Sequence, residues 1–430
     1  MIQRASTRPN ESDVGGSAPR AAAIYLSVVQ FFFATMWTIY VIFLPALAQS
    51  VGIPREAITW ILVLDQAIFT LTDFLMGFAA DSVARAIGRI GPSIAGVTAL
   101  ACALFVAMPS AAGTGSPVLF VVVLVIWAAT SSALRAPPWV LLSRYAATPS
   151  LPALAALGMV GVSIGGASAP YLGVLLRGAD PRLPFALSSV TLAATTGGLV
   201  WVERALSHQV PGAAEADNRS SVAAVHVARA INPTTRVLLT GGALVALGIQ
   251  AHISFNSTAE YLRYASAQDL DYLLPIFWVG FNLFMFPASA VTPRLGSGLV
   301  LASAAGLGTL GLLVAAIAPN LALTIAGHVV AGGAWGSVLM AGLSTAISLG
   351  RTGREGVLSG LWFSTQSLAA FVRILVVAAH VDQQSGFTAL AAWAPGALWF
   401  GGTCVFLSLL WRYRERTLAV PWTGEAATPT

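Results

Sequence analysis

The sequence predicts an all-α, polytopic membrane protein of twelve transmembrane helices in two six-helix bundles. Three observations predict it. Of the 430 residues, 57% are hydrophobic and only 9% are charged, and the mean hydropathy is +0.79. Soluble domains carry about 25% charged residues, so most of this surface must face lipid. Apolar segments recur along the chain, each near the ~20 residues that cross ~30 Å of hydrocarbon. The charges fall mainly between those segments.

Taken in order, residues 1–21 are polar and mix Pro, Gly, Ser and charges of both signs, which predicts a disordered cytoplasmic tail. The segment 22–48 contains the small-x-small pair Ala46 and Ala48. Its apolar core far exceeds the roughly 7–15 residues of a signal peptide, so it is read as the first span. Segments 58–80, 91–108, 117–143, 154–176 and 183–202 complete a first bundle, 22–202. Residues 203–236 form the longest polar interior stretch, with Glu203, Arg204, Glu215, Asp217, Arg219, Arg229 and Arg236, and read as a cytoplasmic linker. Segments 237–262, 273–291, 297–318, 321–348, 356–380 and 388–411 form a second bundle, 237–411, followed by a cytoplasmic tail, 412–430. Six spans, a linker and six spans suggest two repeated halves, related by hydropathy rather than by matching residues.

Charge placement tests the count. All 22 basic residues are arginine, and the net charge is +5. With both termini cytoplasmic, the outer loops hold only Arg55, Arg177, Arg182 and Arg263, and Arg135 and Arg373 lie inside spans. The remaining sixteen are cytoplasmic, the bias expected of a multi-pass inner (plasma) membrane protein. The arginines form no patch with interleaved aromatics, which argues against nucleic acid as a partner. Five histidines and two cysteines are too few for a metal framework or a disulfide scaffold. Cys102 and Cys404 read as small buried hydrophobes, and no metal or cofactor is expected. The GK[ST] loop of ATP-driven proteins does not occur.

Between the second and third segments lies GFAADSVARAIGRIGP, Gly77 to Pro92. Gly77, Asp81, Gly88 and Arg89 fill the roles of the glycine, aspartate and Gly-Arg pair of a loop it resembles, that of the major facilitator superfamily of transporters. The second glycine lies seven residues after the aspartate rather than three, a spacing similar to that of the melibiose and sucrose type of cation symporter. Asp73, four residues before Gly77, and the run RAPPWVLLSRY, Arg135 to Tyr145, also resemble that branch. Ser82, Ile90 and Gly91 depart from its basic pattern. Phe69 stands where that branch has a further aspartate of its cation site, so a sodium site is not carried over. The resemblance implies a secondary transporter working by alternating access. It also implies a conformational latch at Gly77, Asp81, Gly88, Arg89 and Arg144, with Asp81 accepting from Arg144, from Arg89 or from a helix N-terminus.

Ionisable groups at bilayer depth are costly and normally have a partner. Counted from the outer end, Asp65 lies ~12 Å deep, Asp73 ~24 Å and Arg135 ~27 Å, which predicts an Asp73–Arg135 ion pair. The pair is read as structural or gating, with substrate binding by Arg135 as the alternative. Asp65 has no basic residue at its depth and is the best candidate for coupling to a proton or ion, with Asp73 and His328 as further candidates. The alternative for Asp65 is a hydrogen bond to Gln66 or to another helix. His328 reads as a helix–helix contact or a proton relay. Gln30, Gln66, Gln250, His252, Asn256, Asn282, Trp335, Gln366 and Arg373 are candidates for a substrate cavity. His252 and Asn256, four apart, are expected on one face. Gly161 and Gly165 have the spacing for close helix packing.

The expected function is transport of a small organic solute, driven by a proton or less readily a sodium gradient, by a monomer in the lipid bilayer. A drug or metabolite exporter of the same superfamily is the alternative. A membrane-embedded group transferase is remote, because its catalytic carboxylates would need partners that Asp81 and the pair Asp269 and Asp271 lack nearby.

Overall fold

The computed structural model describes residues 17–209, 231–351 and 353–418. Among these residues there are helices and no strands, and twelve helices are long and apolar enough to cross a membrane. In chain order they are α1 Ala18–Ser50, α2 Arg55–Ile87, α3 Gly91–Gly113, α4 Pro117–Arg144, α5 Thr148–Leu175 and α6 Arg182–His208. The second set is α7 Pro233–Leu262, α8 Ala267–Leu295, α9 Ser297–Ile317, α10 Leu321–Gly350, α11 Glu355–Ala378 and α12 Phe387–Leu410.

Local chemistry sets many of the ends. Asn232 and Asn320 cap α7 and α10 by accepting from Thr235 N at 2.8 Å and Leu323 N at 2.9 Å. Ser116 caps α4 and Asn232 caps α7, each followed by a proline at the first helical position, where its missing N–H costs nothing. Gly88 ends α2 with a φ of 73°, a left-handed conformation that a side chain would strain. Side chains such as Val118, 71% exposed, and Leu183, 72% exposed, form the outward apolar surface that lipid requires.

Within the first half α1 packs on α5 and α6, and α3 on α4 and α6. Within the second, α10 packs on α8 and α9, and α12 on α7 and α9. The halves meet chiefly through two pairs, α2 with α11 and α5 with α8, with smaller contacts of α5 with α10 and of α4 with α11. Adding or subtracting six exchanges one pair for the other, so the interface carries the two-fold relation that hydropathy suggested. A Cβ on Gly165 would lie 2.5 Å from Ala34 Cβ, so the small residues of α5 do seat it against α1.

Several boundaries differ from the sequence expectation. Glu203 and Arg204 belong to α6, and Arg236 to α7, not to a linker, because α6 continues helically to Gln209 and α7 begins at Pro233. A helix starts at Ser17, inside the stretch expected as a tail, and the last one continues to Leu418. The expectations for residues 1–16, 210–230 and 419–430 lie outside the described residues. The fourth span is not continuous. Its α-helix stops at Ser131, passes through a 3-10 turn at Ser132–Leu134, and resumes at Pro137. Pro137 and Pro138 lack the N–H groups that would continue the ladder.

Candidate functional site

The break in α4 positions the first cluster. Arg135 stands between the 3-10 turn and the resumed helix, and its Nε lies 3.3 Å from Asp73 Oδ1 of α2. This is the pairing that their depths predict. Asp73 is fully buried, while the Arg135 side chain keeps 20% of its surface exposed. Ser367 Oγ of α11 donates to Asp73 Oδ2 at 2.8 Å. The guanidinium lies over Phe69 of the first half, 5.5 Å from the ring centroid, and over Phe363 of the second, at 5.4 Å. One ion pair is therefore enclosed by both bundles. Gln30 supports it indirectly, donating from α1 to Leu134 O at 2.8 Å and so fixing the broken turn.

Asp65 is placed differently. It is fully buried in the first bundle, and Tyr40 of α1 donates to its Oδ2 at 2.5 Å. Its Oδ1 has no hydrogen-bond partner. Tyr40 is held in turn by Trp37 and Trp127, whose ring centroids lie 5.2 Å and 4.6 Å away. Sequence reasoning left open a bond from Asp65 to another helix but did not identify Tyr40.

The remaining cavity candidates scatter. Asn282 of α8 donates to Ser163 Oγ of α5 at 2.7 Å, a polar tie between the halves. Arg373 donates from Nη1 to Ser254 Oγ at 2.8 Å, its Nε is buried without a partner, and among the described residues it has no carboxylate partner. Gln366 donates to Thr365 Oγ1 at 3.0 Å, and its Oε1 is unpartnered. Gln66 is buried and Gln250 half-buried. Trp335 packs toward Trp399 at 6.5 Å, as core.

His252 and Asn256 do not share a site. Residues His252–Asn256 wind as a π-helix, which rotates the turn relative to an α-helix. Asn256 donates to Ala391 O of α12 at 2.8 Å. His252 instead faces His328 of α10, with ring centroids 4.8 Å apart. Both meet Glu260, a buried carboxylate that the sequence reading missed. His328 Nε2 lies 2.9 Å and His252 Nδ1 4.0 Å from it. The signal was present: Glu260 follows His252 by eight residues, close to the same helical face. Two of the five histidines thus gather with a glutamate.

The segment expected as a loop is mostly helical, since Gly77 to Ile87 belong to α2 and α3 begins at Gly91; at this end Asp81 accepts from Gly356 N at 2.7 Å and Val357 N at 2.8 Å. Its carboxylate thus caps the N-terminus of α11 in the other half. Of the three partners considered for Asp81, the helix N-terminus is the one found. Arg144 donates to Gly88 O at 3.1 Å, and Arg89 is exposed. Arg85 reaches Gly353 O at 3.0 Å, and Arg351 reaches Ala146 O. No Cβ fits at Gly77, because it would overlap Gly356 O. A second buried acid was not foreseen. Glu203, 2% exposed, accepts from Ile90 N at 2.8 Å and Gly91 N at 2.9 Å and caps α3.

The sequence model of the Major Facilitator Superfamily matches residues 26–372. Among solved structures, the E. coli fucose:proton symporter FucP is 16% identical with a TM-score of 0.63, covering 92% of this chain and 99% of its own. The proton:xylose symporter XylE, solved with 6-bromo-6-deoxy-D-glucose, is 14% identical with a TM-score of 0.67, covering 93% and 96%. The human organic anion transporter MFSD10 is 13% identical with a TM-score of 0.63, covering 92% and 99%. No curated protein matches the sequence.

Proposed function

Because the chain belongs to the major facilitator superfamily, we propose that it is a secondary active transporter carrying a small organic solute across the membrane by alternating access, driven by a proton gradient. It is an integral multi-pass membrane protein of transporter fold, which favours transport over catalysis. One observation carries the finer reading: the Asp73–Arg135 pair sits where the bundles meet, closed by Ser367 and Phe363 of the second half. Motion of one bundle against the other changes the surroundings of that pair, as alternating access requires. Arg135, partly exposed, offers donors to a solute. Arg373, with no carboxylate partner among the described residues, offers a second cation. Two such groups favour an anionic or polyol-like solute, and the sugar symporters and the organic anion transporter of similar fold transport those classes.

Asp65 takes the coupling role. It is enclosed, bonded through one oxygen to Tyr40, and can hold a proton without leaving a buried charge. The arginine bias supports a cytoplasmic position for the Asp81 end.

The test uses proteoliposomes, an imposed pH gradient and labelled monosaccharides, polyols and small carboxylates. Accumulation of one class under the gradient is expected. Asp65→Asn is expected to abolish accumulation while sparing counterflow. Full accumulation by Asp65→Asn rejects the coupling role. Movement against the direction of proton flow assigns the exporter reading instead, and drive by sodium alone replaces the proton.

A further inference from the structure

We propose that His252, Glu260 and His328 form a binding site for one divalent transition-metal cation of the zinc class. The proposal rests on this cluster alone and does not depend on the transport reading. The three side chains are buried, at 1%, 2% and 1% exposure. One donor atom from each lies within 4.8 Å of the others. A tetrahedral zinc ion with bonds of ~2.0–2.1 Å holds neighbouring donors about 3.4 Å apart. His328 Nε2 lies 2.9 Å from Glu260 Oε2 and His252 Nδ1 4.0 Å from Glu260 Oε1, on either side of that spacing, so modest side-chain adjustments would bring the donors onto one ion. Two imidazoles and one carboxylate also leave a fourth position for water, as in open zinc sites.

Independent features point the same way. His252 Nδ1 faces Glu260 Oε1 at 4.0 Å, beyond hydrogen-bond range, so the imidazole is held beside the carboxylate without being bonded to it. The π-helical turn at His252–Asn256 sets that imidazole beside His328, and such turns cluster at functional sites. Tyr261 packs on His328 with centroids 4.3 Å apart and fixes its plane. With both imidazoles neutral and Glu260 ionised the cluster carries one negative charge; Arg263, three residues on, acts on it without a direct ion pair among the described residues. A bound cation compensates that charge. Glu260 lies two residues from the end of α7, where Leu262 and Arg263 are exposed, which gives an ion a short route in. All three ligands belong to α7 and α10 of the second bundle, so the ion would brace that bundle without pinning it to the first.

The test uses full-length protein in detergent with any affinity tag removed, and cobalt(II) as the spectroscopic probe. Wild type is expected to bind one cobalt(II) per chain with the visible absorption of a four-coordinate site, and zinc(II) should displace it. Glu260→Gln and His328→Ala are expected to weaken binding by more than about 100-fold, beyond the ~10–100-fold typical of outer-shell changes. His380→Ala, at an exposed turn and outside the cluster, should bind normally. Absence of stoichiometric binding by wild type overturns the proposal. So does unchanged binding in both ligand variants, or loss in His380→Ala. Should the ligand variants fail to fold, X-ray absorption of the zinc-loaded wild type decides. A shell of two imidazoles and one carboxylate supports the site, and any other shell rejects it.

Discussion

Replacing Asp81 with alanine should open the end of the molecule that carries it. The carboxylate is 3% exposed and receives two backbone N–H bonds, at 2.7 Å and 2.8 Å, from the first turn of α11. Hydrogen bonds to a charged group contribute about 1.5–3 kcal/mol each. The two share one side chain and will not add fully, so their joint loss is set at about 2–4 kcal/mol. The loss falls on the closed arrangement, because parted helices would give both N–H groups to water. At 1.36 kcal/mol per tenfold, the closed-to-open ratio falls about 30- to 900-fold. Ser364 of α11 reports the change. It is 9% exposed and donates to Thr70 O of α2 across the interface. In a background with Cys102→Ser and Cys404→Ser, Ser364→Cys should react slowly with a hydrophilic maleimide. Adding Asp81→Ala should speed labelling by the same factor, up to the rate of a fully open thiol. A folded Asp81→Ala protein whose labelling rate stays within twofold of the parent would refute the argument that this cap holds the end shut.

Two further outcomes follow from the buried acids. Breaking a buried ion pair from one side costs about 3–5 kcal/mol, so Asp73→Asn and Arg135→Ala should each lower the melting temperature. The double variant should lose clearly less than the sum, and a strictly additive cycle in thermal unfolding would show that the 3.3 Å contact carries no coupling. Glu203→Ala removes the cap of α3 and should cost roughly 1–2 kcal/mol of stability with solute turnover retained. Lost turnover at unchanged stability would place Glu203 in the transport cycle instead.

The Asp81 cap and the ion pair were legible to different degrees. Asp73 and Arg135 could be matched because depth follows from counting residues at a fixed rise, and a lone charge at that depth needs a partner. Asp81 could be singled out from the motif around it, yet its partner lies 275 residues away. Glu203 was assigned to a linker because it follows the last apolar residues of its span, and only the cap on α3 accounts for its burial.

Composition, segment length and arginine placement determined that the chain is an all-α membrane protein of twelve spans. These properties add along the chain and do not depend on which helix touches which. The partners of Asp65, Glu260 and Asp81 were decided by tertiary structure. Lipid is as apolar as the interior of a bundle, so a spanning helix need not reveal by its pattern which face turns inward. The helix rotations that bring Tyr40 to Asp65 and His328 to Glu260 come from close packing, at contacts such as Gly77 against Gly356, and from local departures such as the π-turn at His252.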